Sequence, residues 1–503
     1  MVPGALRLPM FVNFLLGLVS TSIAVALWRG AEAYKIVAGG FGVLALWQCY
    51  CAVTAPRGWK RRVVLRFGGF RWTADDFCRG WLITGQIGTG KTAAAVNSML
   101  WQLTKNRPDW GGVCVDDKGL YWETLSEMLR HFGREKDLIL LQVRPRNASP
   151  EWKPAHTFNF LDNPHLPYSA KAKIICDVAA SLGQRTEQSF FRLQAQVQME
   201  WAFQVLAKSG FEVTLHRAYD LFAGEELLEE AFKHLLEKRD AGDHEAAALL
   251  SHYRENIVKQ PPEQLGGVKT TVLNYLKYFT EPSIAEVFCP WEPGFNFDEI
   301  DRGKKVCVSL PQSYQIERRY INTLLKLTFY MHALRRFDKP AEERKHDNLL
   351  VLWADEAQKI VTAADDSMSD YNVVDVIREA RATVVAATQS YTSLIPPMGD
   401  ERKTKVFVAN MANRVTFCAA DEDSAKFAAD TLGQRKSKRR TFGHSAGKRT
   451  ATWTEEDKYW LQPHELRKLR KFEAVVQHCN GGFRRVRLQP CGTDGKVPPW
   501  YQS

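Results

Sequence analysis

The chain has 503 residues, of which 45% are hydrophobic and 25% charged, a balance that excludes a disordered or collagen-like protein and suits roughly two or three domains. A net charge of +11 and a pI near 9.1 favour acidic partners such as nucleic acid or anionic lipid, although a solvated surface also explains them. The ten cysteines show no C-x-x-C pair and no His/Cys cluster at metal-ligand spacing. We therefore expect reduced thiols and a cytosolic location for the bulk of the chain.

Two uncharged, mostly apolar segments stand near the start of the sequence, at residues 8–28 and 36–56. Each is long enough to cross the core of a bilayer as a helix. The basic stretch "RGWKRR" that follows places the rest of the chain on the cytoplasmic side. We therefore predict a two-helix transmembrane hairpin in residues 1–56. A signal peptide cleaved near Ala24–Ala26 is the alternative, but it leaves the second segment unexplained.

A glycine-rich motif follows a predicted β-hairpin, "RVVLRFGGFRW", and lies within "WLITGQIGTGKTAAAV". The motif fits G-x-x-x-x-G-K-[ST], with a strand before it and a helix after it. Glycines allow backbone N–H groups to surround phosphate oxygens, Lys91 would reach the β- and γ-phosphates, and Thr92 the Mg²⁺ ion. The predicted ATP and Mg²⁺ site comprises Gly85, Gly88, Thr89, Gly90, Lys91 and Thr92. A chance glycine turn is the alternative, and the matching flanks and spacing argue against it.

Strands and helices alternate after this motif, which predicts an α/β fold with a parallel, doubly wound sheet. "GGVCVDDKG" reads as a strand, residues 120–130 as a helix and "DLILLQV" as a strand. Helical periodicity then replaces strand signals over residues 168–288, as in "ELLEEAFKHLL". We predict a nucleotide-binding domain made of residues 57–167 and 289–503, with an all-α domain inserted at residues 168–288.

The second half of the site is predicted in "NLLVLWADEAQKI", where a buried strand ends in Asp355 and Glu356. This pattern is a Walker B strand. Asp355 would hold the Mg²⁺ ion with Thr92, and Glu356 would orient the attacking water. A surface acidic pair after a core strand is the alternative.

A further strand, within "IREARATVVAATQS", ends at Gln389 and is preceded by Arg378 and Arg381. A glutamine at a strand end beside the phosphates would sense the γ-phosphate, whereas a plain polar strand terminus is the other interpretation. The arginines also suit helix ends, where the dipole favours cations.

Together these features resemble the TraG/TraD-type coupling proteins of conjugation and type IV secretion, which are membrane-anchored, RecA-like, DNA-pumping ATPases. The likeness includes the two-span start, the phosphate loop, an all-helical insertion, the D-E strand and a glutamine strand. It also includes a D-x-K-G turn at Asp116, Lys118 and Gly119. The resemblance implies a homo-hexameric ring in the bacterial inner membrane. It further implies DNA, relaxase or secretion-channel proteins as partners.

The resemblance also implies a catalytic arginine that acts on the neighbouring subunit's nucleotide. Arg378 precedes Gln389 by the family's separation, and Arg381 and Arg414 are its rivals. Ile377 and Ala382 stand where glycines usually flank the family's arginine, so the matching arginine stays open. A structural salt bridge is the alternative role for Arg378.

In the sequence, the feature that supports DNA contact is positive charge. This support comes mainly from a basic loop predicted around Arg435–Arg440 within "GQRKSKRRTFGHSAGKRT". A solvated loop explains this segment equally well. Phe190, Phe191 and Trp201 could stack on bases, although their helical spacing favours core positions. The leading function is an ATPase that moves DNA or nucleoprotein into a secretion channel. A chromosome-processing DNA translocase and a nucleotide-switched membrane docking scaffold are the alternatives.

Overall fold

A nine-stranded sheet organises the computed structural model, which describes residues 62–182, 189–364, 368–445 and 448–502. The strands of the chain are β1 (Val63–Phe67), β2 (Phe70–Thr73), β3 (Trp81–Thr84), β4 (Gly111–Val115), β5 (Leu138–Gln142), β6 (Lys305–Ser309), β7 (Leu350–Ala354), β8 (Ala382–Thr388), β9 (Asn413–Thr416), β10 (Gln434–Ser445), β11 (Lys448–Tyr459), β12 (Glu473–Gln477) and β13 (Phe483–Arg487). The order across the large sheet is β13-β12-β9-β3-β8-β7-β4-β6-β5.

The strands from β9 to β5 in that order run parallel, whereas β12 and β13 are antiparallel at one edge. Every residue of β4, β7 and β8 is buried, which explains their nearly continuous apolar sequences. The prediction of an α/β fold with a large parallel sheet is confirmed. All parallel strands present their carboxyl ends at one edge, where the site described below lies.

The helices connect these strands. They are α1 (Ala74–Phe77), α2 (Asn97–Asn106), α3 (Tyr121–His131), α4 (Tyr168–Ser181), α5 (Ser189–Ser209), α6 (Leu215–Ala223), α7 (Glu226–Asp240), α8 (His244–His252), α9 (Pro262–Leu276), α10 (Pro282–Phe288), α11 (Gln315–Arg335), α12 (Ala341–Arg344), α13 (Asp370–Val373), α14 (Ile395–Met398), α15 (Glu401–Asn410), α16 (Glu422–Leu432), α17 (Pro463–Leu466) and α18 (Pro499–Gln502). A wide helical segment, Lys91–Val96, leads directly into α2.

Helices α4 to α10 fill the segment predicted to be all-helical, and its described residues include no strand. On α7, Ala231 and Leu235 are buried as the periodicity predicts, whereas Leu236 at the border of the apolar face is 39% exposed. Trp201 is buried in the helical core, but Phe190 is half-exposed. Apolar side chains from these helices and from the sheet form one continuous cluster, so the proposed domain boundaries stay a prediction.

The basic segment around Arg435–Arg440 is not a loop. It forms β10, which pairs along its length with β11 in a separate antiparallel sheet. The sequence of β11 explains the pairing, because its acidic residues oppose the cations: Lys438 lies across from Glu455, and Lys436 from Asp457. Cross-strand pairs of opposite charge stabilise a ribbon.

The predicted hairpin before the glycine-rich motif is confirmed as β1 and β2. The transmembrane hairpin predicted in residues 1–56 lies outside the described residues. Within the described part of the chain, no helix is both long and apolar enough to cross a membrane.

Candidate nucleotide-binding site

The glycine-rich loop lies at the carboxyl end of β3, between the strand and the helical segment Lys91–Val96. Its backbone is fixed from both sides: Gly85 N–H donates to the carbonyl of Gln389 (3.2 Å), and Gln86 N–H to that of Cys418 (2.9 Å). These partners follow β8 and β9, the strands that flank β3. The loop is thus held at the sheet edge with the helical segment opening directly behind it.

Gly90 is required at its position for two reasons. Its φ of 106° lies in the left-handed region that disfavours other residues. A Cβ atom added there would overlap the ring of Phe472. Because Phe472 N–H also donates to the carbonyl of Thr89 (2.9 Å), the segment before β12 covers this side of the loop.

Lys91 is buried against the loop. Its Nζ donates to the carbonyls of Gly85 (2.6 Å) and Gln86 (3.3 Å). Burial lowers the pKa of Lys91, while the carboxylates of Glu356 and Asp355 oppose that shift. An ammonium held by two neutral carbonyls is suited to exchange them for phosphate oxygens.

Asp355 and Thr92 meet across the two predicted halves of the site. Thr92 Oγ1 donates to Asp355 Oδ2 (3.1 Å), and Asp355 N–H donates to the carbonyl of Val115 on β4 (3.0 Å). Burial raises the pKa of Asp355, and the neighbouring Glu356 adds to the shift. A hydroxyl and a buried carboxylate form the kind of hard oxygen pair that binds Mg²⁺, which would also favour the ionised form of Asp355.

Glu356 adopts a left-handed backbone conformation, with φ 54° and ψ 48°. Such strain in a residue other than glycine is concentrated at functional sites. Its carboxylate accepts hydrogen bonds from Gln358 and from Gln389 Nε2, the latter at 3.3 Å. The structure thus brings the predicted Glu356 and Gln389 together at the ends of β7 and β8.

Gln358 is a site residue that the sequence analysis missed. It bridges the two strand ends, because its Oε1 accepts from Thr388 Oγ1 (2.8 Å) while its amide contacts Glu356. Its place two residues after the acidic pair, in "DEAQ", was the available signal.

Asp116, from the D-x-K-G turn, lies near the same acids. Its Oδ2 accepts the backbone N–H groups of Leu120 (3.1 Å) and Tyr121 (3.3 Å), which fixes the start of α3. Burial raises the pKa of Asp116. A small cavity beside this turn is lined in part by Asp116, Arg319, Asn322, Asp355, Glu356 and Lys359. Arg319 and Asn322 of α11 also line this cavity, and no sequence motif predicted them.

Arg378 lies away from these residues within its own chain. It precedes β8, whereas Gln389 follows that strand, so the seven residues of β8 separate them by roughly 23 Å. Its guanidinium pairs with Asp75 (3.0 Å) and is 40% exposed. Within one chain Arg378 therefore forms the salt bridge that was the alternative role. Its action on a neighbouring subunit's nucleotide stays a prediction.

The rival arginines each donate to backbone carbonyl groups of other residues. Arg381 Nη1 donates to the carbonyl of Asp347 (2.7 Å). Arg414 donates to the carbonyls of Met411 (3.1 Å) and Val408 (3.0 Å), and burial lowers its pKa to about 10. Arg378 differs from both, because its guanidinium pairs with a carboxylate at a partly exposed position.

Comparison with known proteins adds two findings. Residues 350–471 match a family model described as the TraM recognition site of TraD and TraG. The structure resembles that of the bacterial conjugative coupling protein TrwBdeltaN70 in its unbound form, with a TM-score of 0.59 at 16% identity over 89% of this chain and 92% of the TrwBdeltaN70 chain. The resemblance to the TraG/TraD-type coupling proteins is confirmed.

Two further structures of TrwB share this coupling-protein fold. The complex with the non-hydrolysable GTP analogue GDPNP has a TM-score of 0.58 at 16% identity, and the complex with ADP and Mg²⁺ has 0.56 at 15% identity. Each covers 87% of this chain and 91% of TrwB. No curated protein sequence matches the chain. The matched family segment includes Asp355, Glu356, Arg378 and Gln389, whereas the glycine-rich loop precedes it.

Proposed function

We propose that this coupling-protein relative is a membrane-anchored ATPase that uses hydrolysis to recruit DNA and move it into a type IV secretion channel. One observation carries the proposal. Lys91 and the Thr92–Asp355 pair meet the Glu356–Gln389 pair at a single sheet edge, although the sequence separates the two halves by more than 260 positions. The arrangement supplies a phosphate clamp, a cation pair and a water-orienting carboxylate in one place.

The donor set fits ATP and Mg²⁺. The loop from Gly85 through Gly88, Thr89 and Gly90 would hold the phosphates, and Thr92 with Asp355 would hold the cation. ATP supplies the phosphoanhydride bond, and Mg²⁺ neutralises charge on its oxygens. Lys91 would bind the terminal phosphates, Glu356 would orient water, and Gln389 would report on the γ-phosphate through Glu356. TrwB, of the same fold, was crystallised with ADP and Mg²⁺, which supports this assignment.

Glu356 distinguishes a motor from a nucleotide-switched docking scaffold. A scaffold that only changes shape on binding needs no carboxylate to orient water, and the left-handed backbone of Glu356 is the kind of strain that is concentrated at functional sites. A chromosome-processing DNA translocase would use the same site, so it remains the alternative within the motor class.

The remaining parts of the proposal concern partners and location. We propose a homo-hexamer in the bacterial inner membrane, anchored by residues 1–56, with the bulk of the chain cytoplasmic. DNA, with a relaxase or secretion-channel proteins, would be its partners. The family description of a TraM recognition site in TraD and TraG supports recruitment of a DNA-processing complex through residues 350–471. The split nucleotide-binding domain and the all-α insertion at residues 168–288 belong to the same proposal.

DNA-stimulated ATP turnover of the detergent-solubilised full chain tests the function. We expect sustained stimulation by DNA, because a translocating motor couples each hydrolysis step to its polymer. Turnover that ignores DNA while nucleotide binding is intact would favour the scaffold. In the host, loss of mobile-element transfer rather than of chromosome segregation in a Lys91→Ala strain would separate the two motors.

A further inference from the structure

Asp76, His478 and Cys479 form a cluster at the amino ends of the parallel strands, at the edge of the sheet opposite the nucleotide site. Each offers one potential metal-ligand atom, and these atoms all lie within 4.8 Å of one another. Asp76 belongs to α1, whereas His478 and Cys479 directly follow β12. Asp76 and Cys479 are 403 positions apart in the sequence. For this reason no motif with a fixed spacing predicted the cluster.

The two separations measured from the sulfur suit a tetrahedral cation. Cys479 Sγ lies 3.5 Å from Asp76 Oδ1 and 3.6 Å from His478 Nδ1. Zinc binds sulfur at about 2.3 Å and nitrogen or oxygen at about 2.0 Å, so tetrahedral ligands stand about 3.5 Å from a shared sulfur. A metal bound between them would contact the sulfur and both of these atoms at once.

The surroundings orient each donor atom toward the centre. His478 Nε2 contacts the carbonyl of Arg71 (3.2 Å), so Nε2 carries the hydrogen and Nδ1 keeps its lone pair. The ring also stacks on Trp72, with centroids 4.8 Å apart. Asp76 Oδ2 is used by Thr73, which donates from Oγ1 (2.7 Å) and N–H (3.2 Å), leaving Oδ1 toward the sulfur. Outer contacts of this kind fix the ligands of metal sites.

One competing contact is the backbone N–H of Asn480, which donates to His478 Nδ1 at 3.2 Å. A metal would replace that weak bond. Charge also permits a dication, since a thiolate and a carboxylate together neutralise it. We propose that Asp76, His478 and Cys479 bind a zinc-type divalent cation, with water as the fourth ligand, and thereby clamp α1 and the β1–β2 hairpin to the end of β12.

Cobalt binding to the solubilised full chain tests this site. We expect Co²⁺ to give a thiolate-to-metal charge-transfer band, and zinc to compete it away with about one ion per chain. Cys479→Ser should abolish the band, and Asp76→Asn, which keeps the side chain's shape, should weaken affinity by about 10-fold or more. Cys491→Ser is the matched control and should leave the band intact. A parent chain without the band, or a band that survives in Cys479→Ser, overturns the proposal; thermal melts of each variant establish that it is folded.

A second, independent observation concerns the other side of the phosphate loop and rests on the proposed function. Glu356 and Gln389 follow β7 and β8, on one side of β3. A triphosphate that ends beside them must direct its nucleoside toward the opposite side, where β9 and β12 lie. There Phe472 contacts Thr89 and Gly90 of the loop.

An aromatic group extends from Phe472 at this place. The ring centroids of Trp500 and Tyr501, on α18, lie 5.9 Å and 5.2 Å from that of Phe472. Trp500 is 54% exposed, so part of its indole is accessible to a ligand. The geometry points to Trp500, supported by Tyr501 and Phe472, as the platform for the nucleotide's base.

Binding of ATP compared with inorganic triphosphate, which has no base, tests the platform. We expect Trp500→Ala to weaken ATP binding by about 5- to 150-fold, the range for loss of one base stack, without changing triphosphate affinity. Trp500→Phe should retain most of the affinity for ATP. Trp460→Ala, at another half-exposed tryptophan, should leave the affinity for ATP unchanged. Equal loss of both ligands, or loss of neither, overturns the platform. A parent chain that binds neither ligand overturns the nucleotide site itself, which is a different result.

Discussion

Lys91→Ala is expected to reduce ATP turnover by about 10³-fold or more, to background. Its ammonium is the cation that the structure holds against the phosphate loop, 2.6 Å from the carbonyl of Gly85. A cation at this position stabilises the negative charge that develops between the β- and γ-phosphates. Steady-state turnover with saturating ATP measures the effect. Lys105→Ala, which removes a cation of α2 that lies over Trp101, is the control and should turn over ATP normally.

Glu356→Gln is expected to separate binding from hydrolysis. The Thr92–Asp355 pair survives this change, so the variant should bind ATP with Mg²⁺ and retain it unhydrolysed, with turnover reduced by about 10²-fold or more. Rapid gel filtration of the variant, followed by identification of the bound nucleotide as ATP or ADP, measures how much ATP stays bound without being hydrolysed. Glu342→Gln alters an exposed glutamate of α12 and serves as the matched control. If Glu356→Gln hydrolyses ATP at the parent rate, the Walker B assignment is wrong.

The sequence was sufficient where a local pattern carries the physical cause. The phosphate loop needs glycines at fixed spacing, and β7 and β8 need unbroken apolar residues because both faces of the sheet are covered. Each of these strands can be identified without knowing its neighbours. The sheet edge then places Asp355 beside Thr92, because carboxyl ends of parallel strands meet there.

Features that depend on pairing between two segments could not be predicted in this way. The basic segment around Arg435–Arg440 has the composition of a solvated loop, and its strand conformation arises from pairing with acidic residues of β11. Gln358 acquires a role only once Glu356 and Thr388 lie on either side of it. A sequence motif predicts a feature that one segment determines by itself. The contacts of Gln358 and of β10 each depend on two segments.

Arg378→Ala is expected to reduce turnover by about 10³-fold, because we propose that Arg378 stabilises the transferring phosphoryl group of a neighbouring subunit. Within its own chain it lies roughly one strand length from Gln389, so it cannot serve its own site. Its pairing with Asp75 is half-exposed, and such ion pairs contribute about 0–1 kcal/mol. A neighbouring nucleotide would therefore displace that partner at little cost.

Asp75→Asn distinguishes the two roles of Arg378. If the salt bridge is all that Arg378 provides, removing either partner should produce a similar, small change in stability and turnover. If Arg378 acts across an interface, Asp75→Asn should keep near-parent turnover while Arg378→Ala loses it. Arg381→Ala, which removes an arginine bound to the backbone carbonyl of Asp347, completes the set.

Mixing two inactive variants then tests whether the action is between subunits. In rings that combine Lys91→Ala and Arg378→Ala chains, some interfaces join an intact phosphate loop on the Arg378→Ala chain to an intact arginine on the Lys91→Ala chain. Those interfaces should regain activity, so the mixture should turn over ATP although neither variant does alone. An arginine that acts within its own chain cannot be rescued by mixing. In that case every chain in the ring carries a defect in its own site, either at Lys91 or at Arg378. If mixed rings form and no activity returns, or if Arg378→Ala alone retains full turnover, the trans-acting arginine is another residue or none.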